Sequence, residues 1–315
     1  MEVYYGIEEI HRPLKNPTIT IGNFDGVHRG HQALFQRVKE WSHKLDGESI
    51  VMTFNPHPLE VLFPGKGPAY ITTHERKMEL IASCGIDATI VMPFNPDFAL
   101  VSARDFVKDI LVDRIGIKAI VVGYDYRFGN SRAGDIDLLR DLGREFGFEV
   151  DPVAGIRLED KVVSSTVIRQ LIRKGELKEA NKLLGRPFEV LGIVVPGRKR
   201  GGALLGFPTA NIRMSSQTSP GLGVYAVEAD VGGKTYGGAA NLGYNPTFGD
   251  TDLSLEVFLF DFSGDIYGQP ITVRLLERLR SEQRFASLED LIAQIRLDVQ
   301  QAKKILEERK SVSPG

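Results

Sequence analysis

Short apolar runs alternate with amphipathic stretches from residue 17 to about 185, and after Gly185-Arg186-Pro187 the alternation stops. That change of pattern is the strongest constraint on the fold. Alternating β and α patterns build a parallel sheet flanked by helices, whereas closely spaced β runs between Gly- and Pro-rich turns build an antiparallel sandwich or barrel. Strands are predicted over residues 18–22, 49–54, 88–94, 119–124 and 148–153, and helices over 32–44, 74–84, 103–115, 136–146 and 165–174. Residues 1–185 therefore read as an α/β, doubly wound, Rossmann-like domain. Residues 186–315, with β runs at 188–195, 224–231, 235–241, 253–261 and 271–279, read as a small antiparallel β-barrel. A hairpin turn is expected at Phe262-Ser263-Gly264-Asp265, and Ser287-Leu288-Glu289-Asp290 is a capping box for a C-terminal helix. A chain of 315 residues is long enough for two such cores.

The balance of 39 Lys and Arg against 41 Asp and Glu leaves a net charge of -2. It argues against a general nucleic-acid or membrane-surface binder, so bound anions must be gripped locally. The single cysteine, Cys84, can form no intrachain disulfide and is expected to be a buried, inert thiol. Met1-Glu2-Val3-Tyr4-Tyr5 has no basic or apolar leader character, and no apolar run is long enough to span a bilayer, so a cytoplasmic protein is expected.

The first βα crossover carries Gly22-Asn23-Phe24-Asp25-Gly26-Val27-His28-Arg29-Gly30-His31. Small residues let a phosphate approach the backbone, and a following helix N-terminus supplies free N–H groups and partial positive charge. His28 and His31, three apart, could donate to the oxygens of an α-phosphate, where charge grows during displacement. On the residues alone, a chance pairing of two of the six histidines beside a tight glycine turn remains open. Downstream, Ser164-Ser165-Thr166 precedes a helix with Arg169 one turn in, a set suited to leaving pyrophosphate or simply an N-cap with a solvated arginine. Asp125 ends a strand at the sheet's carboxyl edge, where such folds bind ligands, and is otherwise a turn aspartate. His57, between Pro56 and Pro58, is a candidate phosphate contact or a surface loop residue.

The run from Gly22 to His31 resembles the nucleotide-binding signature of the adenylyltransferase module in bacterial bifunctional riboflavin kinase/FAD synthetases. Phe54-Asn55-Pro56-His57-Pro58, Gly123-Tyr124-Asp125-Tyr126-Arg127-Phe128-Gly129 and Ser164 to Arg169 agree with that family in order and spacing. The resemblance implies an N-terminal nucleotide site of Gly22, Asn23, Phe24, Asp25, Gly26, His28, His31, Asp125, Ser164, Ser165, Thr166 and Arg169, with His28 and His31 catalytic and Asn55 and His57 on the flavin.

In the second half, Gly206-Phe207-Pro208-Thr209-Ala210-Asn211 resembles the Pro-Thr-Ala-Asn signature of riboflavin kinases. The resemblance implies Mg²⁺ held by Thr209 and Asn211, and hydroxyl and amide oxygens are suitable hard ligands. It implies nucleotide contacts from Gly197, Arg198, Lys199, Gly206, Phe207 and Pro208, a flavin contact at Arg296, and Glu256 as general base and flavin neighbour. On pattern alone, Glu256 is an exposed strand glutamate and Gly197 to Gly202 a solvated basic hairpin. One departure stands out: Gly201-Gly202-Ala203-Leu204-Leu205-Gly206 is one residue longer than the family's run and lacks its arginine. Two activities are implied, riboflavin and ATP giving FMN and ADP, then FMN and ATP giving FAD and pyrophosphate. A single-activity FAD synthetase, a non-catalytic flavin or nucleotide sensor, and a pantetheine-phosphate or nicotinamide-mononucleotide adenylyltransferase are the competing readings, the last leaving the barrel unexplained.

Overall fold

The computed structural model describes residues 1–158, 161–196, 207–215, 217–244 and 253–312. Its backbone forms two compact units, Met1–Ser165 and Thr166–Gly315.

The first unit is built on six parallel strands, β1 (Glu2–Tyr4), β2 (Thr18–Ile21), β3 (Ser49–Asn55), β4 (Ala88–Pro93), β5 (Ala119–Gly123) and β6 (Glu149–Val153), in the order β1-β4-β3-β2-β5-β6. Every residue of β2 is buried, as is most of β3 and β4, which is why these strands read as near-continuous apolar runs. Between them lie α1 (Arg29–Lys44), α2 (Pro58–Leu62), α3 (His74–Ser83), α4 (Pro96–Ala99), α5 (Ala103–Asp105) and α6 (Ile136–Phe146). The helix expected over 103–115 begins as α5 and continues in π-helical register through Phe106–Ile115, ending at Gly116 with φ 75°. Asp135 caps α6, its side chain accepting from Leu138 N, and Gly147 ends it at φ 79°. A small hairpin of β7 (Arg157–Leu158) and β8 (Lys161–Val162) follows. Cys84 is half-buried, not buried as expected, because it is the C-cap of α3 at the edge of the core.

The strand order reverses direction about β2: the chain steps from β2 to β3 on one side and reaches β5 on the other. A doubly wound sheet opens a crevice at its carboxyl edge at that point. The loop after β2 carries Gly22 to His28 and leads into α1 with His31 in its first turn, and the loop after β5 carries Asp125.

The second unit begins with α7, whose helix spans Ser165–Lys174, and α8 (Leu177–Leu184). It continues with β9 (Phe188–Val195), β10 (Ala210–Met214), β11 (Gly223–Val231), β12 (Lys234–Tyr244), β13 (Leu253–Leu259) and β14 (Pro270–Arg280), and ends with α9 (Leu288–Val312). The six strands close an antiparallel barrel in the order β10-β13-β12-β11-β14-β9. The Asn181 amide on α8 donates to the Leu275 and Leu276 carbonyls, and its oxygen accepts from Phe188 N, which fastens α8 to the barrel. On α9, Ala302 and Leu306 pack into a cluster with Ala226, Ala239, Phe260 and Leu276, so one face of the helix covers β11, β12 and β14. Ser287 caps that helix, its hydroxyl accepting from Asp290 N at 3.1 Å. Among the described residues no helix is long and apolar enough to cross a membrane.

Candidate active sites in the two units

In the first unit the turn after β2 is held in an unusual backbone shape. Gly26 sits at φ 85°, and Phe24 and Val27 occupy the left-handed region at φ 49° and 39°. A β-branched residue there is strained, of the order of 1–3 kcal/mol, and persists only where its surroundings over-determine it. Asp25 supplies much of that determination: its buried carboxylate accepts from Ile71 N and Thr72 N at 3.0–3.1 Å. Gly26 N in turn donates to Thr72 Oγ1. Asp25→Ala would orphan buried N–H groups and should cost about 2–4 kcal/mol. Urea unfolding followed by Trp41, the only tryptophan and a member of this unit, reads that loss. An unchanged midpoint would show that the carboxylate does not hold the turn.

This turn delivers His28 and His31. His28 is the N-cap of α1, its Nδ1 accepting from His31 N at 3.3 Å. An acceptor at Nδ1 places the neutral ring's hydrogen on Nε2, so the cap also selects the tautomer. The two imidazoles stack with centroids 3.5 Å apart and planes 20° apart. A Cβ added at Gly30 would lie 3.1 Å from the His28 ring, so glycine there makes room for the stack. Phe24 is buried and packs edge-on against His31 at 5.1 Å. Ser165 donates through Oγ to the Asp25 carbonyl at 2.9 Å, which joins the segment of Ser164 and Ser165 to the same turn. Thr166 and Arg169 follow in α7, within the second unit.

A cleft of about 860 Å³ opens along the carboxyl ends of β2, β3, β4 and β5, reaching Gly22, Asn23, His57 and Asp125. Its floor is aromatic: Phe54, Phe98, Phe106 and Phe128 line it, with Tyr126 stacked on Phe128 at 5.4 Å. A smaller cavity of about 230 Å³ adjoins it, the two sharing Asn23, Phe54 and His57, with Asn55 and Lys77 on the smaller one. His57 is buried and caps α2 by accepting from Leu59 N at Nδ1. Phe54, Tyr126 and Phe128 stand in the quoted motif segments, but no role was read for them, and Phe98 and Phe106 carried no motif. The members of this floor come from four separate segments, and only the strand order brings them together.

In the second unit, β10 and β12 flank β13 so that Asn211 and Asn241 each stand directly opposite Glu256. Directly opposed residues share a face. A cavity of about 330 Å³ is lined by Thr209, Asn241, Glu256 and Phe258 from the barrel and by Leu291, Ile295, Asp298 and Val299 from α9. The α9 members follow helical spacing, so Arg296 falls off that face and is exposed. Asp298 is buried and paired to Arg280 at 2.9 Å, with Gln294 donating to its Oδ1, which fixes the helix at the cavity. Phe207 meets Phe258 edge-on at 5.3 Å, and Pro208 is exposed. Burial pushes the Glu256 carboxyl above the ordinary glutamate range. Asn211 is buried, and its Oδ1 has no hydrogen-bond partner among the described residues. Gly197, Arg198, Lys199 and Gly206, with the Gly201-Gly202 departure, lie outside the described residues.

A strained turn at the switch point of an α/β sheet, followed by a closed barrel with a half-buried carboxylate, defines a two-module architecture. Residues 11–167 match the family model for FAD synthetase and residues 184–306 that for riboflavin kinase. The bifunctional riboflavin kinase/FMN adenylyltransferase of Escherichia coli strain K12 is 42% identical over 95% of this chain and 96% of its own. Its counterpart from Pseudomonas fluorescens is 39% identical over 97% and 98%. A solved structure described as a macrolide-efflux protein from Streptococcus pneumoniae aligns with a TM-score of 0.85 at 33% identity, covering 94% of this chain and 96% of that one. The chain belongs to the family of bifunctional riboflavin kinase/FMN adenylyltransferases.

Proposed function

We propose that the chain makes FAD from riboflavin by two transfers, one in each half, with the functional division near residue 185 and a cytoplasmic location. The chain is a riboflavin kinase and an FMN adenylyltransferase. The observation that carries the residue-level reading is that each matched region has its own cavity lined by members of its own motif set, Gly22, Asn23, His57 and Asp125 in the first and Phe207, Thr209 and Glu256 in the second.

In the first half, a phosphate oxygen of FMN attacks the α-phosphorus of ATP and pyrophosphate leaves. The backbone of Gly22 to Gly26 receives the nucleotide phosphates, and His28 and His31 donate to α-phosphate oxygens as negative charge builds there. Ser164 and Ser165 stand beside that turn on the leaving-group side. The aromatic cleft suits the flat apolar ring system of a flavin, with His57 shared between it and the smaller cavity, Asn55 on that smaller cavity, and Asp125 on the nucleotide edge of the cleft. Incubation with FMN and ATP should release one pyrophosphate per FAD formed. Release of phosphate and ADP instead would overturn this assignment.

In the second half, Glu256 accepts the proton of the ribityl 5′-hydroxyl as that oxygen attacks the γ-phosphorus, and ADP leaves. The partnerless Asn211 Oδ1 and the neighbouring Thr209 hydroxyl fit a hard cation, and these residues would hold Mg²⁺. When bound, the ion supplies charge neutralisation on the nucleotide phosphates. Among the described residues there is no cluster of three His, Cys, Asp or Glu side chains that could hold a metal.

The raised carboxyl of Glu256 has a pH consequence. A base must be ionised, and a raised pKa means that ionisation is lost at a higher pH as acid is added. The acid limb of kcat/KM for riboflavin phosphorylation should therefore lie above the ordinary glutamate value of about 4.3. A limb at or below that value would contradict the role given to Glu256.

A further inference from the structure

Lys77, on α3, is buried with only 8% of its surface exposed. Its Nζ donates to the Asn23 carbonyl at 3.2 Å and to Thr53 Oγ1 at 3.1 Å. The Thr53 hydroxyl itself donates to the same Asn23 carbonyl at 3.1 Å. The ammonium thus joins three elements: α3, the carboxyl end of β3, and the turn that leaves β2. The tethered carbonyl lies two residues before Asp25 and five before His28.

A cation in this position is costly. Burial brings Lys77 down to about 8, with Asp25 opposing the shift. A methionine of similar length would fill the same volume without that penalty, so packing alone does not account for a lysine. One of its hydrogen bonds goes to the entry of the strained turn and the other to Thr53, which donates to the same carbonyl; beyond that carbonyl Phe24 and Val27 hold left-handed backbone and need outside support. Asp25 pins the middle of the turn through Ile71 and Thr72, and Lys77 pins its entry. With entry and middle both fixed, the capping imidazole of His28 and the stacked ring of His31 are placed before any substrate arrives.

We propose that Lys77, acting with Thr53, is a positioning residue for adenylyl transfer. It sets the path of the Asn23 carbonyl and so the placement of the two histidines, without itself meeting the reacting atoms. The inference rests on the adenylyltransferase reading of the first half. Riboflavin phosphorylation by the same chain, and FAD formation by the unaltered chain, separate failure of one from failure of the other.

The test is steady-state kinetics of FMN adenylylation by the full chain carrying Lys77→Met. The expected result is a fall in kcat of about 10- to 100-fold, as for loss of a charged group's hydrogen bonds, with KM for FMN and ATP within about threefold. Riboflavin phosphorylation should be unchanged. Thr53→Val, nearly isosteric, covers the case in which Lys77→Met fails to fold, and should lower kcat alone by about 2- to 10-fold. A kcat within experimental error of the unaltered chain for a folded Lys77→Met, or for Thr53→Val, would overturn the proposal. So would a rise in KM with kcat intact, because Lys77 would then be a ground-state contact and not a positioning residue.

Discussion

Glu256→Gln should lower riboflavin phosphorylation by about 10²- to 10⁴-fold, the usual contribution of a positioned general base, and leave conversion of added FMN to FAD unchanged. The substitution keeps shape and hydrogen-bonding capacity but removes the basic carboxylate. Glu256 stands on β13 between Asn211 and Asn241, in the cavity formed by the barrel and α9. Flavin chromatography after incubation with riboflavin or with FMN separates the two rates. Loss of both rates in a folded protein would contradict the division of labour.

His31→Ala should do the reverse. Removing one preorganised donor from a site of developing charge costs about 10²- to 10³-fold in rate, and FMN adenylylation should fall by that amount while riboflavin phosphorylation persists. Alanine keeps the backbone N–H that caps against His28 Nδ1, so the tautomer of His28 and the start of α1 should survive. What disappears is the ring stacked at 3.5 Å on His28 and held from the other side by Phe24. Because Phe24 and Phe35 lie in the core beneath it, the lost ring leaves a gap at the surface of the core and not within it. Near-normal adenylylation would show that the imidazole is not used.

The fold was legible where periodicity carried the information. The switch from βα alternation to β runs separated the Rossmann-like unit from the barrel, and Ile136–Phe146 and Phe188–Val195 were found at their observed bounds. Strand β10 was missed: it is five residues long, and its Pro-Thr-Ala-Asn approach reads as a loop motif, since Asn211 is a polar residue that the strand buries. Strand β1 is three residues and α2 a single turn, too short to show a period. Helix α8, Leu177–Leu184, was passed over beside the longer α7, although Leu177, Ala180, Leu183 and Leu184 give it a helical apolar face.

The site was legible in its chemistry and less so in its geometry. Histidine spacing at positions 28 and 31 indicated a pair, and the structure adds that one caps the helix through the other's N–H. The sequence offered Asp25 as a nucleotide contact, and the structure shows its carboxylate engaged with the Ile71 and Thr72 amides, nearly fifty residues away. Partners so distant leave no local signal. Lys77 escaped notice for the same reason, since on its own helix it is one charged residue in a run of them, and only the tertiary fold turns it inward.

The most direct test of the whole account is a time course of the purified chain with riboflavin, ATP and Mg²⁺, resolving flavins and nucleotides together. The account predicts that FMN appears first and then passes into FAD, with one ADP and one pyrophosphate formed for each FAD. Riboflavin that stays unaltered, or FAD that forms only when FMN is supplied, would contradict it.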